Sequence, residues 1–364
     1  GTKNSEGTIR GGAKGCCRYG SSSFLLGCTL SYNERYDLLY RICIGAAGRI
    51  SVEKEELYLV KKSQTDAQNG TVIFKAFTNN SGSGDITVEY NNGKRGKNPE
   101  CKAIRSMSVL SQMQSRLPSD IEKYAQTIKT IQYVQTTLSN MFVLEPIPSL
   151  MRGYSRIGDS VLRRNCSNIS AVLASIQENS PDDWQKFCDI IESLPENEIQ
   201  GISFVKTTIN DVILIQKEQN GKSTENIDAT RLSDGTLRCI AVLAAVISEP
   251  EHSLIAIEEL DNGIHPSRII KLIKSLCEIA QRRKIDLVLT THNVTVLNGL
   301  SKEDVLGVSV VYRDKETQAS RIVPFVEIEN QAGILASGGI GTAMESERLL
   351  DEIKNEKEIV PFDF

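Results

Sequence analysis

Three short stretches in the second half of the chain decide how this sequence is interpreted: Arg231-Leu-Ser-Asp-Gly-Thr-Leu-Arg238, Leu254-Ile-Ala-Ile-Glu-Glu259 and Leu287-Val-Leu-Thr-Thr-His292. The first is a small-residue turn that opens a helix. The second is an apolar strand that ends in two carboxylates, and the third is an apolar strand that ends in a histidine. This order suggests a site that handles phosphate groups.

The two carboxylates follow a strand that looks buried on both faces, because Leu254–Ile257 are all apolar. Such a strand delivers Glu258 and Glu259 to its carboxyl end, where open α/β sheets bind ligands. Adjacent carboxylates face different directions and therefore suit different tasks. We assign a metal ion, held through water, to Glu258 and the activation of an attacking water to Glu259. The alternative is two solvated acids at a strand end.

The histidine and the small-residue turn are the second and third parts of the pattern. His292 ends the next apolar strand, and parallel pairing would place it beside the carboxylates, where it can donate a hydrogen bond to a terminal phosphate. Ser233 is a good helix cap, and the N–H groups of Asp234, Gly235 and Thr236 lie at a helix N-terminus that suits phosphate. The alternatives are a structural histidine and a helix cap without a ligand.

Together, these motifs resemble those of the ATP-binding-cassette class of P-loop ATPases, and more narrowly the AAA-type ATPases of the OLD, RecF and SMC-like group. The resemblance is strong over residues 231–300 and loose over roughly 100–230. One departure is conservative: Leu260 and Asp261 replace the proline and acid that usually follow the two carboxylates. The resemblance implies ATP and Mg²⁺ as cofactors and a homodimer or higher homo-oligomer.

The resemblance also implies roles for individual residues. Ser233 and Gly235 would contact the γ-phosphate of ATP held by the opposite subunit, Glu259 would be the catalytic acid, and His292 would be the switch. His265 falls at the position of the dimer-interface D-loop, which implies contact across that interface.

The implied fold is α/β, a cassette-type P-loop ATPase fold with a mainly parallel sheet, an antiparallel β lobe and a helical insertion. Short β-branched and aromatic runs between Phe24 and Tyr90 predict an antiparallel meander, and the periodic, Gly-free stretch from Ala103 to Met141 predicts helices. Beyond Arg231, strands alternate with helices and end with the runs Val305–Tyr312 and Arg321–Phe325, which favours a mainly parallel sheet. We therefore divide the chain into a β-rich lobe of the ATPase domain, a helical insertion with linking strands, a C-terminal ATPase lobe and a charged tail, at residues 1–102, 103–230, 231–344 and 345–364.

The sequence contains no phosphate-binding loop of the form G-x-x-x-x-G-K-[ST]. The nearest frame, Gly15-Cys-Cys-Arg-Tyr-Gly20-Ser-Ser22, lacks the lysine and runs into a strand-like segment, so we reject it. Two explanations remain: a degenerate ATPase, or a first strand, P-loop and helix upstream of Gly1. We expect the second, because such a segment needs roughly 30 residues and the chain opens directly with what resembles the β-rich lobe.

Bulk properties limit the class of protein. The 40% hydrophobic and 24% charged residues are near soluble globular averages, and no window approaches the roughly 20 apolar residues of a membrane span. Without a secretion or organelle signal, we expect a cytoplasmic protein that does not enter the membrane. Nine cysteines without a C-x-x-C pair indicate reduced thiols. The net charge of −4 argues against a uniformly basic nucleic-acid-binding surface but leaves open the patch Lys94-Arg-Gly-Lys97, whose alternative is a solvated loop.

We expect an ATP-driven dimerising switch in which two copies sandwich two nucleotides and hydrolysis by Glu259 releases them. Proteins with this organisation often serve in defence against phages beside a separate effector, so the resemblance implies an effector partner such as a nuclease. The alternatives are a non-hydrolysing cassette-fold scaffold and a DNA-repair or maintenance ATPase, and nucleic-acid binding stays open. A transporter ATPase is disfavoured, because the region before Arg231 is unlike a short transporter helical subdomain. The 34 residues after residue 330 cannot form a built-in nuclease domain.

Overall fold

The structure is a computed structural model that describes residues 11–63, 70–78, 83–117, 122–195, 199–314, 317–346 and 348–353. It divides into two compact units, Gly1–Asn140 and Met141–Phe364. Residues 1–10 of the predicted N-terminal loop and 354–364 of the predicted charged tail lie outside the described residues. Within the described part of the chain, no helix combines the length and apolarity of a membrane span.

The first unit contains a six-stranded antiparallel sheet whose strands neighbour one another in sequence order. The strands are β1 Ser23–Ser31, β2 Tyr36–Gly45, β3 Ser51–Lys61, β4 Thr71–Phe77, β5 Asp85–Tyr90 and β6 Glu100–Ile104. After β5, the Asn91 side chain accepts the Gly93 N–H and the Asn92 side chain accepts the Lys94 N–H, which fixes the turn locally. The predicted antiparallel meander is confirmed.

Among its described residues, the first unit has the α-helices α1 Gly12–Gly15, α2 Val109–Arg116 and α3 Ala125–Ser139. Met113 of α2 and Ile131 and Val134 of α3 are fully buried in one core cluster with the sheet residues Leu57 and Phe74. The predicted helical insertion that begins at residue 103 includes α2 and α3. The apolar faces of these helices complete the core of the sheet, and the compact units divide after residue 140.

A buried carboxylate caps helix α2 from a distant strand. Glu55 of β3 is fully buried and accepts hydrogen bonds from the Tyr40 hydroxyl at 3.0 Å and the Ser108 hydroxyl at 2.8 Å. It also accepts the N–H groups of Val109 at 2.6 Å and Leu110 at 2.7 Å, the first two residues of α2. Burial raises the pKa of Glu55, and these four hydrogen bonds offset part of that rise.

The second unit carries the remaining elements. From Met141 to Leu289 they are β7 Met141–Leu144, α4 Pro148–Met151, β8 Ser155–Arg156, α5 Ile169–Asn179, α6 Pro181–Ser193, β9 Ile199–Lys206, β10 Asp211–Asn220, β11 Ser223–Asp228, α7 Asp234–Ser248, β12 Leu254–Ile257, α8 Pro266–Arg283 and β13 Asp286–Leu289. After them come α9 Val294–Asn298, α10 Lys302–Val305, β14 Ser309–Arg313, β15 Ser320–Pro324, α11 Gln331–Ala336, α12 Ile340–Glu345 and α13 Arg348–Ile353.

A parallel sheet of three strands, in the order β13-β12-β7, positions the site. Ile255 and Ile257 of β12 are buried in the main core cluster, together with most of α7 and one side of α8. Strand β12 was expected to be buried on both faces, and this expectation is wrong. Its Ala256 is only partly buried, and the cross-strand neighbours on that face, Val143 and Val288, are 38% and 49% exposed.

The sheet arrangement corrects the prediction of a mainly parallel sheet. Among the described strands, only β7, β12 and β13 pair in parallel, whereas β8 to β11 form a separate antiparallel sheet. The sequence pattern predicts that the parallel alternation continues through the runs Val305–Tyr312 and Arg321–Phe325. They contain β14 and β15, which pair antiparallel with each other. The connection between them, residues 314–319, is too short for the crossover that parallel strands require.

The C-terminal helices have a core of their own. Phe325 and Ile334 are fully buried in a cluster that also includes Leu349 and Ile353 of α13. The predicted charged tail therefore contains a packed helix, and residues 347 and 354–364 of it lie outside the described residues.

Candidate functional site

The two carboxylates lie on a turn that we call the acid loop, residues 258–265, directly after β12. Glu258 and Glu259 are both exposed. Glu259 has a φ of 48°, a left-handed conformation that is uncommon for a residue with a side chain. Its backbone N–H donates to the Thr290 hydroxyl at 3.0 Å, and Asn262 Nδ2 lies 3.4 Å from its Oε2. The backbone of Glu259 is thus held from the neighbouring strand end.

The end of β13, which we call the switch turn, residues 290–293, runs alongside the acid loop. The Thr290 carbonyl accepts the Leu260 N–H at 3.2 Å. The Thr291 hydroxyl donates to Asp261 Oδ1 at 2.5 Å and accepts the Asn293 N–H at 3.1 Å. The parallel pairing of β12 with β13 therefore brings the acid loop and the switch turn together, as the sequence pattern predicted. His292 lies between Thr291 and Asn293 with its side chain exposed.

The small-residue turn begins helix α7, the third part of the site. Ser233 is its N-cap, with its Oγ accepting the Thr236 N–H at 3.1 Å. Asp234 is exposed in the first turn, where its carboxylate lies 2.6 Å from Arg152 Nη2. The same Arg152 nitrogen donates to the Leu232 carbonyl at 2.8 Å. This short arginine link fixes both ends of the turn around Ser233.

The start of α7 also touches the acid loop. A Cβ atom on Gly235 would lie only 2.4 Å from the carbonyl oxygen of Gly263 and 3.6 Å from the Cα of Ile264. Real Cβ atoms do not come that close to a backbone oxygen, so this helix turn can approach the loop only because residue 235 is glycine. The small-residue turn at the start of α7, the acid loop and the switch turn are therefore three adjoining parts of one unit.

His265 occupies a different position within the acid loop. It is the N-cap of α8, where its ring Nδ1 accepts the Ser267 N–H at 3.4 Å and lies 2.9 Å from the Ser267 hydroxyl. Its predicted contact across a dimer interface stays a prediction, and the capping bond gives it a structural task within one subunit.

The donor set fits ATP with Mg²⁺. Magnesium is normally held by one or two carboxylates plus phosphate and water, and the exposed oxygens of Glu258 meet that need. A capped helix N-terminus at Ser233 favours an anion. No group of three or more His, Cys, Asp or Glu side chains suited to an all-protein metal site occurs among the residues that the structure describes.

Sequence reasoning missed the residues that connect these motifs. Arg152 lies about eighty positions before its partner Asp234, and no local pattern indicates that contact. The sequence does contain a signal for Thr290, Thr291 and Asn293. Two hydroxyl residues at a strand end are typical of turns, and an asparagine before a helix is typical of a cap. None of the nine cysteines, all of which lie in the described residues, forms a disulfide. Burial raises the pKa of the Cys239 thiol in α7 to about 12, which disfavours the reactive thiolate at neutral pH.

Residues 138–298 match the family described as "AAA domain, putative AbiEii toxin, Type IV TA system". The matched span contains β7, the start of α7, the acid loop and the switch turn. It supports a nucleotide-binding AAA-type ATPase domain in this part of the chain.

Two further comparisons add little. Curated proteins give no match. Among solved structures, the chain is similar to an SmcHead bound to the C-winged helix domain of ScpA, with 9% identity, 83% of this chain and 74% of that chain covered, and a TM-score of 0.43. It is similar to the SMC head domain from Thermotoga maritima with 11% identity, coverage of 79% and 74%, and a TM-score of 0.31. For an Smc head domain with an extended coiled coil bound to the C-terminal domain of ScpA, derived from Pyrococcus furiosus, the identity is 11%, the coverage 88% and 75%, and the TM-score 0.34. Likeness at this level does not define a function.

Proposed function

We propose that the complete protein is an ATP-binding and ATP-hydrolysing switch of the cassette class that works as a dimer. The observation that carries this proposal is the hydrogen bond from the Glu259 N–H to the Thr290 hydroxyl. This bond joins the acid loop after β12 to the switch turn after β13. A base beside a phosphate sensor is useful for hydrolysis and has no use in a purely structural pair of strands.

In the proposed reaction, Glu259 accepts the proton of the water that attacks the γ-phosphate, and His292 donates a hydrogen bond to that phosphate. Glu258 would hold Mg²⁺, which neutralises charge on the phosphate oxygens when bound. Catalysis of this kind rests on positioning and charge, so the left-handed turn at Glu259 and its anchored N–H matter more than any covalent step.

The dimeric part of the proposal concerns the exposed start of α7. Ser233, with the first-turn N–H groups of Asp234 and Gly235, would complete the nucleotide site of the opposite subunit. The exposure of Ser233 and Asp234 supports this, because a group that meets a partner's nucleotide has to be reachable from outside its own subunit. His265 is assigned to the interface by its position in the sequence alone.

A separate effector is the expected output of such a switch. The description of the matched family refers to a toxin and a TA system, which supports a role beside a second component. We propose that the switch controls an effector, such as a nuclease, in defence against phages. A non-hydrolysing scaffold is the main alternative and predicts that Glu259 can be replaced without loss of function. A DNA-repair or maintenance ATPase would instead show turnover that responds to DNA.

Steady-state ATP hydrolysis by the complete protein tests the proposal, together with equilibrium binding of Mg-ATP. Glu259→Gln should lower turnover ~10²–10⁴-fold and keep binding, whereas the matched exposed variant Glu251→Gln should change neither. Absence of both hydrolysis and binding in the complete protein would contradict the proposal. Binding without hydrolysis, unchanged by Glu259→Gln, would favour the scaffold.

A further inference from the structure

Two consecutive threonines at the end of β13 have side-chain contacts with the acid loop and within the switch turn. Thr290 is exposed and Thr291 half-buried, so neither is needed to fill the apolar core. Each hydroxyl nevertheless has a defined partner in the loop of the other strand. The contacts reach Glu259, assigned to water activation, and the turn that carries His292, assigned to phosphate sensing.

Thr290 acts on Glu259. Its hydroxyl accepts the Glu259 N–H at 3.0 Å, and its carbonyl accepts the N–H of the next residue, Leu260, at 3.2 Å. Glu259 has a φ of 48°, a backbone conformation that persists only where the surroundings hold it. The N–H groups of Glu259 and Leu260, which flank the strained Glu259 backbone, both donate to Thr290 and provide that support.

Thr291 acts on the turn around His292. Its hydroxyl accepts the N–H of Asn293, closing a tight turn with His292 at its centre, and donates to Asp261 Oδ1 at 2.5 Å. The Asn293 side chain in turn accepts the Thr295 N–H at 2.9 Å and caps α9. The backbone on either side of His292 is thereby held between a helix start and a carboxylate of the acid loop.

We infer that Thr290 and Thr291 are positioning residues that lock the acid loop to the switch turn and so keep Glu259 and His292 at a fixed separation. This inference rests on the proposed function for its catalytic consequence, while the lock itself depends only on the hydrogen bonds. A threonine hydroxyl is required at each position, because a methyl group of the same size can neither accept an N–H nor donate to a carboxylate. Serine should suffice, because it keeps the hydroxyl.

The test uses Thr290→Val, Thr291→Val, Thr290→Ser and Thr291→Ser in the complete protein, with Thr295→Val as an exposed control on the neighbouring helix. Each valine variant should lower kcat by about 10–100-fold, in the range expected when a catalytic group moves by about 1 Å. KM for ATP and the melting temperature should stay close to those of the parent. The serine variants should keep kcat within about threefold, because they keep the hydrogen bonds.

A second readout does not depend on ATP hydrolysis. Amide hydrogen exchange should speed up by about tenfold or more in the peptides that contain Glu259 and Asn293 in the valine variants and stay slow in the serine variants. The ring carbon resonances of His292, one of three histidines, should shift in Thr291→Val alone.

These readouts separate the inference from the function it rests on. Unchanged exchange and an unchanged His292 resonance in the valine variants would overturn the lock. Turnover that stays within threefold in both valine variants, in a parent that hydrolyses ATP, would equally overturn it. If the parent itself neither binds nor hydrolyses ATP, the proposed function fails, and the exchange rates and the histidine resonance then decide the lock alone.

Discussion

The carbonyl oxygen of Gly263 lies where a side chain on Gly235 would have to be, 2.4 Å from the position of its Cβ atom. The start of helix α7 and the acid loop therefore meet backbone to backbone. A movement of one requires a movement of the other, because no flexible side chain lies between them to absorb it. In a dimerising ATPase, this contact would connect the turn that faces the partner's nucleotide with the acids of the subunit's own site.

Gly235→Ala should consequently destabilise the second unit. In an open helix the change from glycine to alanine is stabilising by up to about 1 kcal/mol, whereas overpacking against a rigid backbone costs about 1–3 kcal/mol. We expect a net loss of stability in urea denaturation, with turnover reduced as well. Gly158→Ala, where an added Cβ meets nothing within 4 Å, is the control. A stabilised Gly235→Ala protein would show that the loop can move away freely.

The local parts of this site were predictable from the sequence, and the contacts between them were not. The order of strand, acids, strand and histidine identified the carboxyl edge of a parallel sheet, because strand pairing and chain direction fix where strand ends lie. The Arg152 link to Asp234 was invisible, because it depends on how a short helix is placed eighty residues away. The exposed face at Val143 and Val288 was also missed, since an apolar strand of four residues looks the same whether one face or both are covered.

The two acids should fail in different ways. Glu259→Gln removes a proton acceptor but keeps the shape, so turnover should fall ~10²–10⁴-fold while Mg-ATP still binds. Glu258→Gln should weaken binding of ATP in the presence of Mg²⁺ and leave binding without the metal unchanged, because a neutral amide is a poorer magnesium ligand. Calorimetric titration with and without Mg²⁺ distinguishes the two. Identical defects in both variants would remove the division of labour.

Composite sites can be tested by mixing subunits. A dimer of one Ser233→Arg subunit and one Glu259→Gln subunit has one site with both defects and one site with neither, since each site uses the acids of one subunit and the serine of the other. Activity should therefore return when two inactive variants are combined. Mixing Glu259→Gln with Glu258→Gln is the control. Each site takes both acids from one subunit, so every site of the mixed dimer carries one of the two defects and no activity should return. Recovery in the control alone, or in neither despite demonstrated subunit exchange, would argue against shared sites.

The Arg152 and Asp234 pair should contribute little to stability. Asp234 is 64% exposed at its side chain and Arg152 is 28% exposed, and exposed ion pairs are worth about 0.2–1 kcal/mol. A double-mutant cycle with Arg152→Gln and Asp234→Asn should give a coupling in that range that shrinks in high salt. Arg152→Gln should be the costlier single change, because it also loses the bond to the Leu232 carbonyl. Equal single effects would show that this carbonyl bond contributes nothing.

The buried Glu55 should make the stability of the first unit depend on pH. Because its pKa is raised in the folded state, the folded protein holds the proton more tightly than the unfolded chain. The resulting stabilisation is complete below the ordinary carboxyl pKa of about 4.3 and is lost as the pH rises through the folded-state pKa.

Glu55→Gln cannot titrate, and its amide nitrogen faces the N–H groups at the start of α2, so it should cost about 1–3 kcal/mol through lost hydrogen bonds. Parent and variant should differ most at low pH and less as the pH rises. Hydrogen exchange of the α2 peptide in a urea series between pH 4 and 8 measures this difference, with the exposed variant Glu34→Gln as control. A gap that widens with rising pH would mean that the hydrogen bonds from Val109 and Leu110 outweigh burial and lower the pKa of Glu55 instead.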